Sequence, residues 1–591
     1  MDHKPSDART NLVIACFIGL ASSFIFWLSP VHQLTDSHYS LLVTESLLRN
    51  RSFALETYNI PRLTPQYHDH TWKNGHIHQL EVVGNHYYYY MPPGSSVLSL
   101  PFVAVLNRFG LSASNADGSY NPQGEVALER IIAALLMATA AAIFFLTSRL
   151  LLTTTWSLVI TFAAAFGTQI WSTSSRALWA DTWGIVLTSG VVYLLLAHEL
   201  KIRQLNPVVL ATLLSWMYFV RPTNAIIIAT ITIYLLLWHR SLFLPYALTG
   251  ALWLIGFLSY SWIHYHHLLP TYFRVNRRLR VQNLLTAIVG NLVSPSRGLF
   301  IYVPILLFLS YVLFRNRAFV RPRRLVWISL LISIFFLLVV SAFDPWWGGA
   351  SFGPRYLAPL VPWFVLLAIL GFKAMLEAPR PVSSSLIFAG MFLLAASITV
   401  HAIGAFSKTA WKWNATGDLD HNPRKVWDIR YPQLLSPFIT SPLPKDFPPI
   451  KEYILLSETE SERYLPYGWS GAEPGFRWTD GTKASIIFAI SEPSELLFVI
   501  NAAPFVVPEK LEVQRVEVIL NDRPIRKMEL REGKEETVEF LLPVDALGER
   551  NILTLHLPDA TSPSRFMQTA DERQLALAVR WIGFKSKPTN R

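Results

Sequence analysis

A single aspartate, Asp36, follows the first long apolar run of the chain, in the sequence LTDSHYSLLVTESLLRN. A carboxylate at the boundary between membrane and water can accept a proton from a substrate hydroxyl. The residues from Tyr39 to Leu48 have a spacing that is compatible with a helix, so Asp36 would lie near its N-terminus. A helix cap is therefore the structural alternative to a catalytic base.

Four arginines in short segments between apolar runs are candidates for binding phosphate. Arg297 lies in NLVSPSRGLF, where Pro295 and Gly298 predict a tight turn at the start of a helix. Backbone N–H groups and a guanidinium together can hold a phosphate there. The alternative is an interfacial turn with a snorkelling side chain. The other three candidates are Arg355, Arg176 and Arg221.

The loop around Arg355, DPWWGGASFGPRY, contains three glycines and two prolines and is predicted to have a defined shape. Trp346 and Trp347 in this loop could belong to an aromatic belt, or they could stack on a sugar or line a lipid groove. We favour a functional interpretation of the loop. Asp181 is expected to pair with Arg176 and to be structural.

Six residues of the segment 68–86 have side chains that could bind a metal: His68, Asp69, His70, His76, His78 and His86. Their spacing matches no specific metal signature. Solvated or carboxylate-paired histidines are the favoured interpretation, so no residue is assigned to a metal. A divalent metal ion is left open as a cofactor. No Walker motif, and no nucleophile elbow or GxGxxG at a strand–helix junction, is evident in the sequence, which argues against nucleotide-driven chemistry.

The elements that position these residues are apolar helices. The 591 residues are 52% hydrophobic and only 15% charged, which is unusual for a soluble protein. Eleven apolar runs predict helices that cross a bilayer. They are 11–30, 129–147, 155–172, 181–198, 206–220, 223–238, 245–266, 298–314, 326–343, 357–373 and 385–405. The first run lacks a small-residue cleavage site and is expected to be retained.

Five arginines between residues 315 and 324 set the expected orientation, because short cytoplasmic loops are rich in Lys and Arg. With this block and the N-terminus inside, thirteen Lys and Arg lie on inner segments and eight on short outer loops. The run 91–109 is predicted to lie in the interface, since one more crossing would place the arginine block outside. Residues 31–128 then form an external loop, in which Gly84-Asn85 predicts a β-hairpin.

The C-terminal part of the chain has a different pattern. Residues 407–482, rich in Trp, Pro and Tyr, are predicted to be an external connector. From Lys483 to the end, short alternating apolar runs separated by turns predict a soluble β-sandwich or jelly roll. The net charge of +11 suits anionic lipids and requires no nucleic acid. With the single Cys16, no intrachain disulfide or Cys-based metal site is possible.

The motifs in this order resemble the GT-C glycosyltransferases, in the branch of protein mannosyltransferases and RgtA/B/C/D-like enzymes. Three matches carry the resemblance: Asp36 with His38 and Tyr39 after the first helix, the segment YYYYMPPGSSVLSLP, and SPSRGLFIYVP together with WWGGASFGPRYLAPLVP. The resemblance covers residues 11–405. Many relatives have an Asp-Glu pair at the first position, whereas Ser37 follows the aspartate here, so the resemblance implies no second acidic residue at this position.

The resemblance implies a membrane domain over residues 1–406 that is catalytic, and an external β-sandwich over 483–591 whose fold suggests carbohydrate binding by analogy. A sugar on polyprenyl phosphate is the implied donor, and a glycan, lipid or protein hydroxyl is the acceptor. Asp36 is the implied base, and the four arginines are the implied donor-phosphate ligands. His38, Tyr39, Trp346 and Trp347 are expected to line the substrate site.

This implied protein is a multi-pass protein of the bacterial inner membrane, with a cytoplasmic N-terminus and a periplasmic C-terminal domain. A flippase for lipid-linked glycan is the main rival, although such transporters usually show repeated halves with broken helices, which the sequence does not. A non-catalytic polysaccharide-assembly protein is a second rival. Single-sugar transfer and transfer of a whole oligosaccharide cannot be separated from the sequence.

Overall fold

The computed structural model describes residues 5–32, 36–60, 79–274, 281–379, 382–414, 419, 423–439, 443–444, 446–567, 569 and 571–586. The chain forms two compact units, and the boundary between them lies between Trp411 and Lys412. The first unit is mainly helical, and the strands of the second form antiparallel sheets.

Eighteen α-helices lie in the described residues. They are α1 (Pro5–Trp27), α2 (Ser40–Arg49), α3 (Gly94–Leu98), α4 (Leu100–Arg108), α5 (Pro122–Arg149), α6 (Thr154–Phe166), α7 (Ala180–Glu199), α8 (Pro207–Val220), α9 (Ala225–Trp238), α10 (Arg240–Tyr265), α11 (Thr271–Arg274), α12 (Leu284–Val293), α13 (Leu299–Tyr302), α14 (Ile305–Arg315), α15 (Arg323–Ser341), α16 (Val361–Glu377), α17 (Ser384–Phe406) and α18 (Lys408–Lys412).

Seven helices in the described part of the chain are long and apolar enough to cross a membrane, by length and composition: α1, α5, α7, α10, α15, α17, and α16 with its preceding turn. Five shorter apolar helices lie among them. The apolar stretch is 67% buried in α5 and 72% buried in α7, but only 11% buried in α10. An apolar helix as exposed as α10 needs lipid around it. The chain is therefore a multi-pass membrane protein, as predicted.

The long helices begin where the sequence favours a start. Asn121 caps α5 by accepting a hydrogen bond from the Gly124 N–H at 2.9 Å, and Pro122 occupies the first turn. Asn206 and Pro207 repeat this arrangement at α8. A side-chain acceptor followed by a proline without an N–H satisfies the orphan donors of a helix N-terminus.

Each of the eleven predicted crossings contains helix, but some are shorter than expected. The run 298–314 divides into α13 and α14, and the break lies at Val303-Pro304, because proline cannot continue the hydrogen-bond pattern. The run 91–109 forms α3 and α4. The nine residues of α4 extend only about 14 Å, which is too short to cross.

The hairpin predicted at Gly84-Asn85 is confirmed. Strands β1 (Leu80–Val83) and β2 (His86–Tyr89) pair antiparallel, with Val83 opposite His86. Gly84 has φ +61°, a value that glycine adopts without steric cost. The segment from Tyr90 to Pro93 follows β2 directly in the chain.

The second unit contains ten strands among its described residues. They are β3 (Ile454–Leu455), β4 (Trp469–Glu473), β5 (Phe476–Asp480), β6 (Lys483–Ala489), β7 (Leu496–Pro504), β8 (Gln514–Leu520), β9 (Arg523–Leu530), β10 (Glu536–Leu542), β11 (Arg550–His556) and β12 (Leu575–Ser586). One sheet has the order β10-β7-β12-β5-β4, with β3 also paired to β12, and the other has the order β6-β11-β8-β9.

The two sheets share one apolar core and form the predicted β-sandwich. Phe488 of one sheet contacts Phe584 of the other, with ring centroids 4.4 Å apart. Both rings are buried among aliphatic side chains from both sheets. Strands β3, β4 and β5 come from residues 454–480, so the segment 407–482, predicted as a connector, also contributes to the sandwich.

Candidate active site

A cavity of about 310 Å³ lies among segments at the ends of the helices of the first unit. It contains one carboxylate, that of Asp36, and two guanidinium groups, those of Arg221 and Arg355. Aromatic rings form much of the remaining wall. The full lining is Asp36, Ser37, Tyr89, Tyr90, Met91, Pro92, Ser95, Leu178, Trp179, Ala180, Arg221, Pro222, Thr223, Tyr272, Phe273, Val339, Phe343, Arg355 and Tyr356.

Asp36 and Arg355, which are far apart in the chain, form an ion pair in this cavity. Arg355 Nη2 donates a hydrogen bond to Asp36 Oδ2. The Arg355 side chain is 9% exposed, whereas that of Asp36 is 42% exposed and so remains open to the cavity. The guanidinium carbon of Arg355 lies 3.6 Å from the ring centroid of Trp179, a close cation–π contact.

Arg355 keeps part of its hydrogen-bonding capacity free. Its Nε is buried and has no hydrogen-bond partner among the described residues. A buried guanidinium N–H without an acceptor is costly. Arg355 can therefore gain hydrogen bonds from an anion that enters the cavity.

Tyr89, the last residue of β2, holds the backbone of Asp36. Its Oη donates a hydrogen bond to the Asp36 carbonyl oxygen. Burial, and next the negative charge of Asp36, raise the pKa of Tyr89 well above its usual value. The phenol therefore stays protonated and remains a donor. The hairpin thus fixes the backbone at Asp36 while the carboxylate faces the cavity.

Arg221 is paired with a carboxylate that was expected to have another partner. Arg221 Nη1 donates to Asp181 Oδ1, and both residues are buried. The guanidinium also lies 5.4 Å from the ring centroid of Tyr356. The prediction that Asp181 pairs with Arg176 is wrong, because the corner after α8 brings Arg221 to the start of α7. Arg221 therefore lines the cavity with its charge neutralised by Asp181.

Arg176 lies outside the cavity lining. Its Nη2 donates to the Phe26 carbonyl at the end of α1 and to Ser175 Oγ, the latter at 2.8 Å. Only 3% of the residue is exposed. These contacts connect the segment before α7 to α1. The structure therefore does not place this predicted phosphate ligand with Asp36.

Arg297 is also outside the cavity lining and is fully buried. Its guanidinium donates to three backbone carbonyls, those of Trp347 at 3.0 Å, Ser296 at 2.8 Å and Gly349 at 3.3 Å. These bonds connect the turn before α13 to the loop that leads to Arg355. The arrangement indicates that Arg297 supports this loop.

The four residues predicted to line the substrate site do not line this cavity. Trp346 is 9% exposed and packs against Gly290, where an added Cβ would lie 2.2 Å from the indole. Trp347 is 8% exposed. His38 packs on Tyr39 with ring centroids 4.2 Å apart, and both rings also contact Tyr120. All four side chains therefore pack within the protein.

Several lining residues were not assigned from the sequence. Tyr89 and Tyr90 end the run of four tyrosines, and Tyr272 and Phe273 lie on the four-residue helix α11. Trp179 and Tyr356 are neighbours of residues that we had singled out. An aromatic residue next to a candidate charge was the only local signal, and it does not distinguish a cavity wall from a packed core.

Within the described ranges, no group of three or more His, Cys, Asp or Glu side chains could hold a metal ion. His68, His70, His76 and His78 lie outside the described residues. His86 is described, and its Nδ1 lies 2.6 Å from Glu56 Oε1, in line with the favoured carboxylate-paired interpretation.

The chain is similar to several solved structures. ArnT from Cupriavidus metallidurans bound to undecaprenyl phosphate shares 12% identity at a TM-score of 0.41, over 69% of this chain and 66% of that one. Its apo state shares 15% at 0.42, over 73% and 74%. The apo Archaeoglobus fulgidus oligosaccharyltransferase shares 13% at 0.40, over 75% and 62%.

These TM-scores lie below 0.5, so the similarity alone establishes neither a fold family nor an activity. No protein-family model and no curated protein sequence matches the chain.

Proposed function

We propose that this chain is an integral-membrane inverting glycosyltransferase of the GT-C type. It transfers a sugar from a polyprenyl-phosphate donor to an acceptor hydroxyl on the external face of the membrane. The observation that carries the proposal is the Asp36–Arg355 ion pair inside an aromatic cavity, which joins a candidate base to a candidate phosphate ligand. Aromatic walls suit sugar rings and isoprenoid chains alike.

Donor binding is the first step of the proposed mechanism. The donor phosphate accepts hydrogen bonds from the Arg355 guanidinium, including its free Nε. Phosphate oxygens match the planar fork of an arginine. Because one guanidinium cannot serve both anions fully, the phosphate weakens the Arg355–Asp36 bond. Asp36 then becomes available as a base at the moment when the donor is in place.

Transfer follows by direct displacement. Asp36 removes the proton from the acceptor hydroxyl while that oxygen attacks the anomeric carbon of the donor sugar. The bond between the anomeric carbon and the phosphate oxygen breaks, and its electron pair leaves with the polyprenyl phosphate. Arg355 stabilises the charge on this leaving group. Attack from the face opposite the phosphate inverts the anomeric configuration.

The proposed orientation rests on charge. The arginines of 315–324 mark the cytoplasmic side, and the ends of α1 and α15 nearest the cavity then lie on the external side. The N-terminus is cytoplasmic and the β-sandwich is periplasmic in this arrangement. By analogy, the sandwich binds carbohydrate. The acceptor, whether glycan, lipid or protein, presents its hydroxyl from the same external side.

Transfer of a radiolabelled sugar by purified full-length protein tests the proposal. The donors are polyprenyl-phosphate hexoses and pentoses, and undecaprenyl phosphate, the lipid in the similar ArnT structure, is one such carrier. Asp36→Asn is compared with Asp117→Asn, since Asp117 is exposed in the same predicted external loop and lies outside the cavity.

We expect Asp36→Asn to lower the transfer rate by roughly 10²- to 10⁴-fold, and Asp117→Asn to leave it unchanged. Full activity of Asp36→Asn would remove Asp36 from its role. No transfer by the wild type from any donor would favour a flippase or a non-catalytic assembly protein.

A further inference from the structure

A buried carboxylate on α5 holds the turn of residues 36–39, here called the Asp36 turn. Glu125, in the first turn of α5, is fully buried. Its Oε2 accepts a hydrogen bond from the Tyr39 N–H at 2.9 Å, and its Oε1 accepts one from the Leu41 N–H at 2.8 Å. Both oxygens of one side chain therefore bind the backbone at and just after the end of the Asp36 turn.

These bonds replace the cap that α2 does not provide for itself. Tyr39, the residue before α2, has φ +72° and gives no side-chain hydrogen bond to the helix. The first N–H groups of a helix need acceptors from elsewhere. A carboxylate is a favoured acceptor there, because the N-terminal end of a helix is electropositive. Asp36, considered above as a cap, is instead paired with Arg355.

Tyr120 fixes the Glu125 carboxylate in turn. Its Oη donates to Glu125 Oε2 at 2.5 Å, and its ring contacts those of His38 and Tyr39. The Asp36 turn is thus held on both sides: Tyr89 binds the Asp36 carbonyl, and Glu125 binds the N–H groups at its far end. The packing of His38 and Tyr39, which keeps them out of the cavity, belongs to the same support.

We propose that Glu125 is a positioning residue for the Asp36 base. The inference rests on the proposed function, since it concerns the geometry of that reaction. Glu125 is outside the cavity lining and contacts the backbone N–H groups of Tyr39 and Leu41. A base displaced by about 1 Å can lose roughly 10²-fold in rate. The supporting carboxylate is therefore as important for turnover as a group in the cavity.

Glu125→Gln is the informative substitution. Glutamine keeps the size of the side chain, but only one of its two ends can accept a hydrogen bond, so its NH₂ group would face a backbone N–H. Glu45→Gln is the matched control. Glu45 is another fully buried carboxylate of the same unit, but it accepts hydrogen bonds from the Ala113 N–H at 2.7 Å and from Ser112 and Ser114.

The two variants are compared with wild type in sugar transfer, with kcat and the donor KM measured separately, and in hydrogen exchange. We expect Glu125→Gln to lower kcat about 10²-fold with little change in KM, and to speed exchange at the Tyr39 and Leu41 amides. Glu45→Gln should speed exchange around Ala113 and change kcat much less. Tyr120→Phe, which removes one bond to Glu125, should lower kcat by a smaller factor.

Each outcome decides the inference. An unchanged kcat in Glu125→Gln would overturn it, and so would an equal loss in Glu45→Gln, which would indicate general destabilisation. If Glu125→Gln does not fold, Tyr120→Phe decides by the same criteria. If the wild type transfers no sugar at all, the proposed function fails. In that case the exchange at Tyr39 and Leu41 still decides whether Glu125 holds the turn.

Discussion

Replacing Asp36 by Asn is expected to have opposite effects on two properties of the protein. The variant should bind polyprenyl phosphate more tightly and transfer sugar more slowly. Arg355 is paired with Asp36 in the structure, and in the proposed mechanism it is shared between Asp36 and the incoming phosphate. Removing the carboxylate frees the guanidinium for the phosphate, and it also removes the base.

The size of the binding effect follows from the exposure of the pair. The Asp36 side chain is 42% exposed and that of Arg355 is 9% exposed, so solvent screens much of the attraction. A pair of this kind contributes up to about 1 kcal/mol. Losing it as a competitor lowers the dissociation constant by up to ~5-fold. Transfer falls by roughly 10²- to 10⁴-fold, the usual contribution of a general base.

Equilibrium binding of undecaprenyl phosphate to protein in lipid nanodiscs measures the first effect, and the transfer assay measures the second. Asp117→Asn serves as the control, because Asp117 accepts hydrogen bonds only within its own turn from Ser119 among the contacts described for it. Weaker binding by Asp36→Asn, with Asp117→Asn unchanged, would refute the view that Asp36 and the phosphate compete for Arg355.

Three further substitutions test, one by one, the cavity, the loop that leads to Arg355 and the core of the β-sandwich. Arg355→Lys keeps the charge but loses the planar group that stacks on Trp179, so transfer should fall by about 10²-fold in the same assay; wild-type activity would contradict a role in stabilising the leaving phosphate. Arg297→Met removes the donor of the hydrogen bonds to three backbone carbonyls, which should cost roughly 1–3 kcal/mol and lower the thermal midpoint of unfolding. An unaltered midpoint would argue against this support. Phe488→Ala removes the ring that contacts Phe584 in the sandwich core and should destabilise the second unit by about 3–5 kcal/mol. Hydrogen exchange should then be faster in β6 and β12 and unchanged in the helices of the first unit. Exchange in β6 and β12 at the wild-type rate would contradict a core shared by the two sheets.

Much of the fold could be predicted from the sequence, because it depends on local patterns. A run of about twenty apolar residues can satisfy its backbone only as a helix in lipid, and each of the eleven predicted crossings contains helix. The Gly84-Asn85 turn and the strands from Lys483 onward also follow from local backbone preferences and from alternation. Strands β3 to β5 were missed because aromatic and proline residues obscure the alternation in 454–480.

The candidate site depended on the tertiary structure. The arginines at 176, 221, 297 and 355 all lie in short polar segments between apolar runs, so their local sequences predict the same role. In the structure, Arg297 and Arg176 bind backbone carbonyls and Arg221 is paired with Asp181. Arg355 instead forms an ion pair with Asp36.

The sequence by itself determined that the protein is a multi-pass membrane protein with a β-sandwich, and it determined the residue types from which a site could be built. It located eleven of the apolar helices of the described residues but missed Leu284–Val293. The tertiary structure alone decided that Arg355 contacts Asp36, that Glu125 binds the backbone just after Asp36, and that Trp346 and Trp347 are packed away from the cavity. The physical reason is the separation along the chain over which each kind of interaction acts. Backbone preferences and hydrophobic patterns act over a few residues, whereas a contact between residues 36 and 355 exists only after many helix surfaces have packed together.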